Sequence, residues 1–379
     1  MNPIIIVGTG LAGYSVAKEL RKNGYDGPLT MVTADDGQFY SKPLLSSALA
    51  KGQNAESLAT STGDEMANTL NATLLNHSVV ESIDTDAHTL TIDGKRHQYN
   101  QLVLAIGASP IRLPFKGDGA NDVLTVNNLM DYAQFRNQLE NTKCVGVIGP
   151  GLIGSEFAND MLKSGYKVEL IGPDKWPIST LLPEQAGRCL QKSLSDAGAI
   201  WHLETFNGSI DKSGSGFRTE LQNGSIVEVD LFLSAVGVKP EITLAKASGL
   251  QVNRGIVTDE FLNCSAKDVF ALGDCAEVAG KNLPYVAPLM IAARALAKTL
   301  TGAQTRVIYP YMPVVIKTTL HSIVTLPPAP GSPGAWQVDG NDDGVVGRFF
   351  SPDDIMSGFC LTGNKISQKA SLLKEMPAL

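Results

Sequence analysis

Residues 4–13 read Ile4-Ile-Ile-Val7-Gly8-Thr-Gly10-Leu-Ala-Gly13, and this stretch decides the fold. Ile4 to Val7 is a continuous apolar run, as a strand buried on both faces of a parallel sheet requires. The glycines then follow a G-x-G-x-x-G spacing. Gly8 permits a tight turn, Gly10 lets backbone approach a pyrophosphate, and Gly13 allows close helix–strand packing. Beyond them Leu11, Tyr14, Val16, Ala17 and Leu20 keep a helical period to Lys22, and Gly24 stops it. A second strand spans 29–33. Strand, glycine turn, helix and strand form one half of a dinucleotide-binding fold, with a helix N-terminus offered to phosphates. Such a site calls for an acid roughly 20 residues past the last glycine, at a strand end. Asp35 and Asp36 stand there, so Asp35, or the Thr33–Ala34 backbone, is expected at an adenosine ribose.

The pattern repeats 141 residues later. Cys144-Val-Gly-Val-Ile148 precedes Gly149-Pro-Gly151-Leu-Ile-Gly154, a helix to about Lys163 and a strand over 167–171. That separation is too long for a solenoid repeat and suits two nucleotide-binding domains. The second strand ends in Gly172-Pro173, with Asp174 late and no arginine beside it, so NAD and NADP both stay open. Strands are expected over 79–83, 89–92, 102–106, 231–236 and 269–272, with a helix over 288–300. Leu102–Gly107 and Leu231–Gly237 each end in a small-x-Gly step, and 269–274 ends in Gly273-Asp274. A carboxylate at such a strand end is a turn residue or an acceptor for a polyol hydroxyl. Residues 312–324 alternate apolar and polar side chains. A proline cluster (Pro327, Pro328, Pro330, Pro333) reads as a rigid loop or a polyproline segment, and a short helix is expected over 369–374.

Composition narrows the class. With 379 residues, 43% hydrophobic and 18% charged, the chain can bury several cores, which excludes a disordered protein. A net charge of −7 provides no footprint for nucleic acid. The five cysteines are scattered and never in a C-x-x-C pair, against a disulfide framework, a zinc site or an iron–sulfur cluster. The five histidines (His77, His88, His97, His202, His321) have no metal spacing and read as surface or loop residues, so no metal is expected. No stretch reaches the ~20 apolar residues that span a bilayer, and no signal peptide is seen, so no membrane insertion and a cytoplasmic location are expected.

In order, Gly8-x-Gly10-x-x-Gly13, Ala105-Ile-Gly107, Gly149-x-Gly151-x-x-Gly154, Ala235-Val-Gly237 and Gly273-Asp274 resemble the two-dinucleotide-fold FAD/NAD(P)-dependent reductases. Within that group Ala34-Asp-Asp-Gly37, Tyr40-Ser-Lys-Pro43, the stretch 151–160, Ala271–Glu277 and Met312–Lys317 resemble the rubredoxin reductases. The resemblance implies an α/β fold of two Rossmann-like domains with a small C-terminal α+β domain. It implies an FAD domain over 1–113 and 238–311, an NAD(P)H domain over 114–237 and a C-terminal domain over 312–379. It further implies non-covalent FAD, held through Gly8, Thr9, Gly10, Leu11, Ala12, Gly13, Thr33, Ala34, Val80, Ala105, Gly107 and Asp274. Gly149, Gly151, Gly154 and Gly237 would serve NADH or NADPH. Lys42, Glu156 and Lys317 would lie near the flavin and nicotinamide, with Val286 and Lys317 flanking the pyrimidine side. Lys42 and Lys317 suit the role of fixed cations beside a ring that becomes anionic on reduction.

Thiol-reducing relatives carry a redox cysteine shortly after the second strand. Here that segment reads Phe39-Tyr-Ser-Lys-Pro43, and Cys275, beside Asp274, is expected to be a packing residue. Electrons are therefore expected to leave for an external acceptor: rubredoxin, a small acidic iron protein, in support of an alkane-hydroxylase-type system. A ferredoxin reductase or NADH oxidase of the same fold is the alternative. An acidic partner needs a local basic patch on this acidic chain, with Lys317, Lys42 and lysines of the C-terminal region as candidates.

Overall fold

Ile4–Val7 forms a strand with every side chain buried, and Leu11–Lys22 forms the helix that follows it. These elements belong to a computed structural model that describes residues 2–378. The strand lies in a five-stranded parallel sheet. Its order is Val269–Ala271, Gln101–Leu104, Ile4–Val7, Leu29–Val32, Thr73–Leu75. Leu11–Lys22 packs against the helix Val286–Leu300, and their apolar faces join one core with the sheet. An antiparallel three-stranded sheet, Val80–Asp84, Thr89–Ile92 and Lys95–Gln98, completes this part.

The second fingerprint builds the same topology. Cys144–Ile148 pairs in parallel with Lys167–Ile171 and Leu231–Ser234, and Ala199–His202 lies outermost. Leu152–Lys163 is its crossover helix. A meander of Asn207–Ser213, Gly216–Leu221 and Ile226–Val229 packs over Ile148, Ile171 and Phe232 to close a core. The C-terminal region is a five-stranded antiparallel sheet. Its order is Val314–Ile316, Ile323–Leu326, Met356–Thr362, Gly344–Phe350, Ala335–Asn341. The prolines 327–333 join two of its strands, and Lys369–Glu375 packs on it through Leu372.

The chain divides into two compact units. One comprises residues up to Lys42, Ser57–Ser109 and Val238–Pro310. The other comprises Pro43–Glu56, Pro110–Gly237 and the chain from Tyr311. Each holds one glycine fingerprint. Among the described residues no helix is long and apolar enough to cross a membrane.

Candidate functional site

In the first unit Gly8 has φ +108°, and a Cβ there would meet the Ala105 carbonyl oxygen at 2.3 Å. A Cβ on Gly13 would lie 1.9 Å from the Gly8 carbonyl oxygen, so the helix starts directly against the turn. Around Gly10 and Gly107, by contrast, a Cβ would meet nothing within 4 Å. Gly10 caps the helix in extended conformation with no side-chain bond and no acid in the first turn. The first backbone N–H groups therefore face open space with the positive end of the helix dipole behind them.

The wall beside this cradle is polar. Thr33 Oγ1 donates to Asp35 Oδ1 (2.6 Å), as does the Gly37 N–H (3.0 Å). The Ser78 N–H donates to the Thr33 carbonyl (2.9 Å), which brings the start of the Val80–Asp84 strand to the same edge. Asp35 is thus committed to shaping its loop through one oxygen. Tyr14, which the sequence reading took only as an apolar position, donates its hydroxyl to the Gly37 carbonyl. Burial, helped by Asp35 and Asp36, pushes its pKa up to about 12.

At the end of Val269–Ala271 a short 3₁₀ turn, Gly273–Cys275, carries Asp274. Its carboxyl is half-buried rather than exposed, and burial raises its pKa while the Lys42 cation lowers it. Lys42 and Asp274, 232 positions apart in the chain, therefore act on one another. Gly273 packs on Ala12 of the first helix, and the uncapped N-terminus of Val286–Leu300 lies against this turn, with Val286 exposed. Cys275 is fully buried, its Sγ donating to the Leu104 and Leu272 carbonyls, and burial pushes its pKa up to about 11. A thiol so held is a packing residue rather than a nucleophile.

The second unit repeats the cradle. Gly149 has φ +100° with a Cβ position 2.7 Å from the Ala235 carbonyl oxygen, and Gly154 would put a Cβ 1.9 Å from the Gly149 carbonyl oxygen. Gly151 is open and caps Leu152–Lys163 without a side-chain bond, and Gly237 has φ +113°. The adjoining strand end differs. A Cβ on Gly172 would strike Pro150 at 2.2 Å, the Ile178 N–H donates to the Pro150 carbonyl, and Ser179 donates to Asp174. Asp174, late in sequence, is thereby fixed beside the turn.

Five residues past Gly151, Glu156 is 1% exposed. It accepts from Ser46 Oγ (2.6 Å), from the Lys317 N–H (2.9 Å) and from the Lys317 ammonium. A carboxylate this deep is tolerable only because a cation and two further donors meet it. Glu156 and Lys317 are brought together as a pair. Lys42 belongs to the other unit, where it acts on Asp274. Asp160, one helical turn on, accepts from the Leu49 N–H (2.7 Å) and the Ala50 N–H (3.1 Å) and is 4% exposed. It anchors the segment that carries Ser46. Neither Ser46 nor Asp160 was singled out from the sequence. The four-residue spacing from Glu156 to Asp160 on one helix face was the available signal.

Free space at the two open glycines and the uncapped helix ends fit a pyrophosphate in each unit, so these residues suit FAD and a nicotinamide dinucleotide. Two histidines depart from expectation. His202 ends the strand Ala199–His202 with its side chain 16% exposed and its Nε2 2.8 Å from Glu169 Oε2. His321 is not a surface residue but 6% exposed, its Nδ1 3.2 Å from Ser193 Oγ, because its turn folds inward against the helix Glu184–Asp196.

Residues 2–297 match the family model described as pyridine nucleotide-disulphide oxidoreductase, and 306–376 match the one described as rubredoxin binding C-terminal domain. The chain is 45% identical over 380 residues to the rubredoxin-NAD(+) reductase of Alcanivorax borkumensis, covering 100% of both chains. It is 38% identical to the protein of that name from Acinetobacter baylyi, covering 100% of this chain and 99% of the relative. The putidaredoxin reductase in a covalent complex with putidaredoxin superposes with a TM-score of 0.89 at 25% identity, covering 98% of this chain and 92% of that one.

Proposed function

The chain belongs to the pyridine nucleotide-disulphide oxidoreductase family and carries its rubredoxin binding C-terminal domain, and from that premise we propose that it passes electrons from NADH through FAD to rubredoxin. The observation that carries this reading is the pair of matching cradles, open at Gly10 and Gly151. Beside them, the cysteine of the flavin-proximal strand end is locked into packing. FAD held there would supply the conversion of a two-electron hydride donor into single-electron deliveries. The residues of the chain bind and orient. The turn from Gly8 to Gly13, with Thr33, Ala34 and Val80, holds the ADP half. Asp274 takes the ribityl hydroxyls, and Val286 borders the ring. Gly149, Gly151, Gly154 and Gly237 seat the dinucleotide. Lys42, and Lys317 braced by Glu156, supply fixed positive charge where negative charge develops.

In this reading residues 1–113 and 238–311 serve FAD, 114–237 serve NADH, and 312–379 serve the protein partner. The destination is an alkane-hydroxylase-type system in the cytoplasm. Five free cysteines among the described residues suit such a reducing compartment. An anaerobic titration that follows the flavin absorbance, first with NADH or NADPH and then with oxidised rubredoxin, tests the proposal. Bleaching by NADH and recovery on adding rubredoxin is the expected course. A flavin reoxidised by ferredoxin or oxygen but not by rubredoxin would overturn it in favour of a ferredoxin reductase or an NADH oxidase.

A further inference from the structure

We propose that rubredoxin docks into a groove formed by residues 44–51, the helix Leu152–Lys163 and the edge strand Val314–Ile316, steered there by Lys51 and Lys163. This rests on rubredoxin being the acceptor and names the surface that receives it.

The groove encloses about 370 Å³ and lies wholly within the second unit. Leu44, Ala50, Val315, Ile323 and Ile366 give it an apolar floor. Val315 is 60% exposed at the centre of an edge strand, so the apolar floor reaches the surface there. Lys51, Lys163 and Lys317 line the same groove. Lys317 is engaged by Glu156. Asp160, the one carboxylate lining it among the described residues, accepts two backbone N–H groups and is buried beneath it. What faces solvent is therefore two exposed ammonium groups around an apolar centre.

On a chain of net charge −7 such a rim is a local inversion of sign, and it complements an acidic partner. An apolar centre within a charged rim is also the anatomy of small, transient electron-transfer contacts. One side of the groove, Val315 to Val324 with Ile366, comes from the region matched as rubredoxin binding. The other side, residues 44–51 and the helix Leu152–Lys163, is new to that assignment. Asp160 clamps the backbone of the 3₁₀ turn Leu49–Lys51 onto the nucleotide-domain helix, which fixes the point from which the Lys51 side chain projects. The Lys163 ammonium itself is tethered, 2.9 Å from Thr319 Oγ1. A tethered cation loses less entropy on docking than a mobile one.

The test uses the flavin-loaded enzyme and its Lys51→Glu/Lys163→Glu double variant. Affinity for zinc-substituted rubredoxin is measured by calorimetry across a salt series, and stopped-flow gives the rate of iron-rubredoxin reduction. The variant is expected to associate about ten- to a hundredfold more slowly at low salt and to lose most of its salt dependence. Its flavin bleaching by NADH is expected to match the unaltered enzyme, while its melting point falls modestly because both lysines offset the buried Asp160 charge. Val315→Ser, which removes apolar surface without adding charge, is expected to weaken binding while keeping the salt slope. Unchanged affinity and salt slope in the double variant, with a normal fold, would overturn the proposal. An unaltered enzyme that neither binds nor reduces rubredoxin would instead overturn the functional reading beneath it.

Discussion

The helices Leu11–Lys22 and Leu152–Lys163 start from cradles with the same glycine spacing, yet their next turns do opposite things. In both, a Cβ on the third glycine would fall 1.9 Å from the first glycine's carbonyl oxygen, and the middle glycine is open. Two positions past the third glycine the first helix carries Ser15, which donates to Met290 Sδ (3.3 Å). The second helix carries Glu156 there, bound to Lys317 and Ser46. Four residues further, Glu19 of the first helix meets Arg294 at 3.6 Å on a neighbouring helix. Asp160 of the second is buried on backbone amides. The cradle is thus set by backbone sterics that only glycine satisfies. The helix face below it is free to serve either packing or chemistry.

The largest effect should come from filling the cradles. Gly8→Ala and Gly149→Ala each place a methyl against backbone in a positive-φ turn, at about 2–3 kcal/mol. If the two units divide the work as proposed, Gly8→Ala yields colourless protein. Gly149→Ala stays yellow but binds NADH about a hundredfold more weakly, read by absorbance and by titration. Loss of flavin from both would erase the distinction between them.

Next comes the pair that sets the helices apart. Lys317→Met leaves Glu156 buried without its cation, and urea melts should show a loss of about 3 kcal/mol. Adding Glu156→Gln should restore most of it. No restoration would mean that the pair does not carry the effect. Ser15→Ala, at the matching position of the first helix, should cost under about 1 kcal/mol.

Two pH effects follow from burial. Asp274 has its pKa raised in the folded protein, so the native state binds the extra proton. Stability of the flavin-free protein therefore falls as pH rises from the ordinary carboxylate range through the raised value. Asp274→Asn should raise the melting temperature of that form at neutral pH while weakening flavin retention. An unchanged melting temperature would remove the case for a penalised carboxyl held for function. His321 is opposite in sign. Burial lowers its pKa, against a weaker pull from Asp342, so the unfolded chain binds the proton first and stability drops as pH falls below about 6.5. His321→Asn should flatten that limb of the pH–stability curve. At the strand end, Asp174→Ala should relax NADH-over-NADPH affinity by about tenfold, or ~1.4 kcal/mol.

Much of this was legible in the residues alone. Both crossover helices run where the glycine spacing and apolar period put them, Leu11–Lys22 and Leu152–Lys163. The C-terminal helix appears as Lys369–Glu375. These elements depend on local rules, glycine for a turn and apolar repeats for a buried face. Lys42 and Lys317 stood out only through resemblance, because a lysine in sequence carries no sign of what it faces. Ser46 and Asp160 went unnoticed for the same reason. His321 was misread, since one polar residue between short strands gives no hint that its turn folds inward.

The amino-acid order by itself determined that there are two phosphate-binding turns and where each helix begins. That information is steric and resides within ten or so neighbouring residues. Only the tertiary structure decided what the helix below each turn would hold. Glu156 meets a serine 110 positions away and a lysine 161 positions away, and Asp160 grips a segment more than a hundred residues earlier. A buried charge selects its partners by proximity in space, and proximity of that kind exists only once the chain has closed around it.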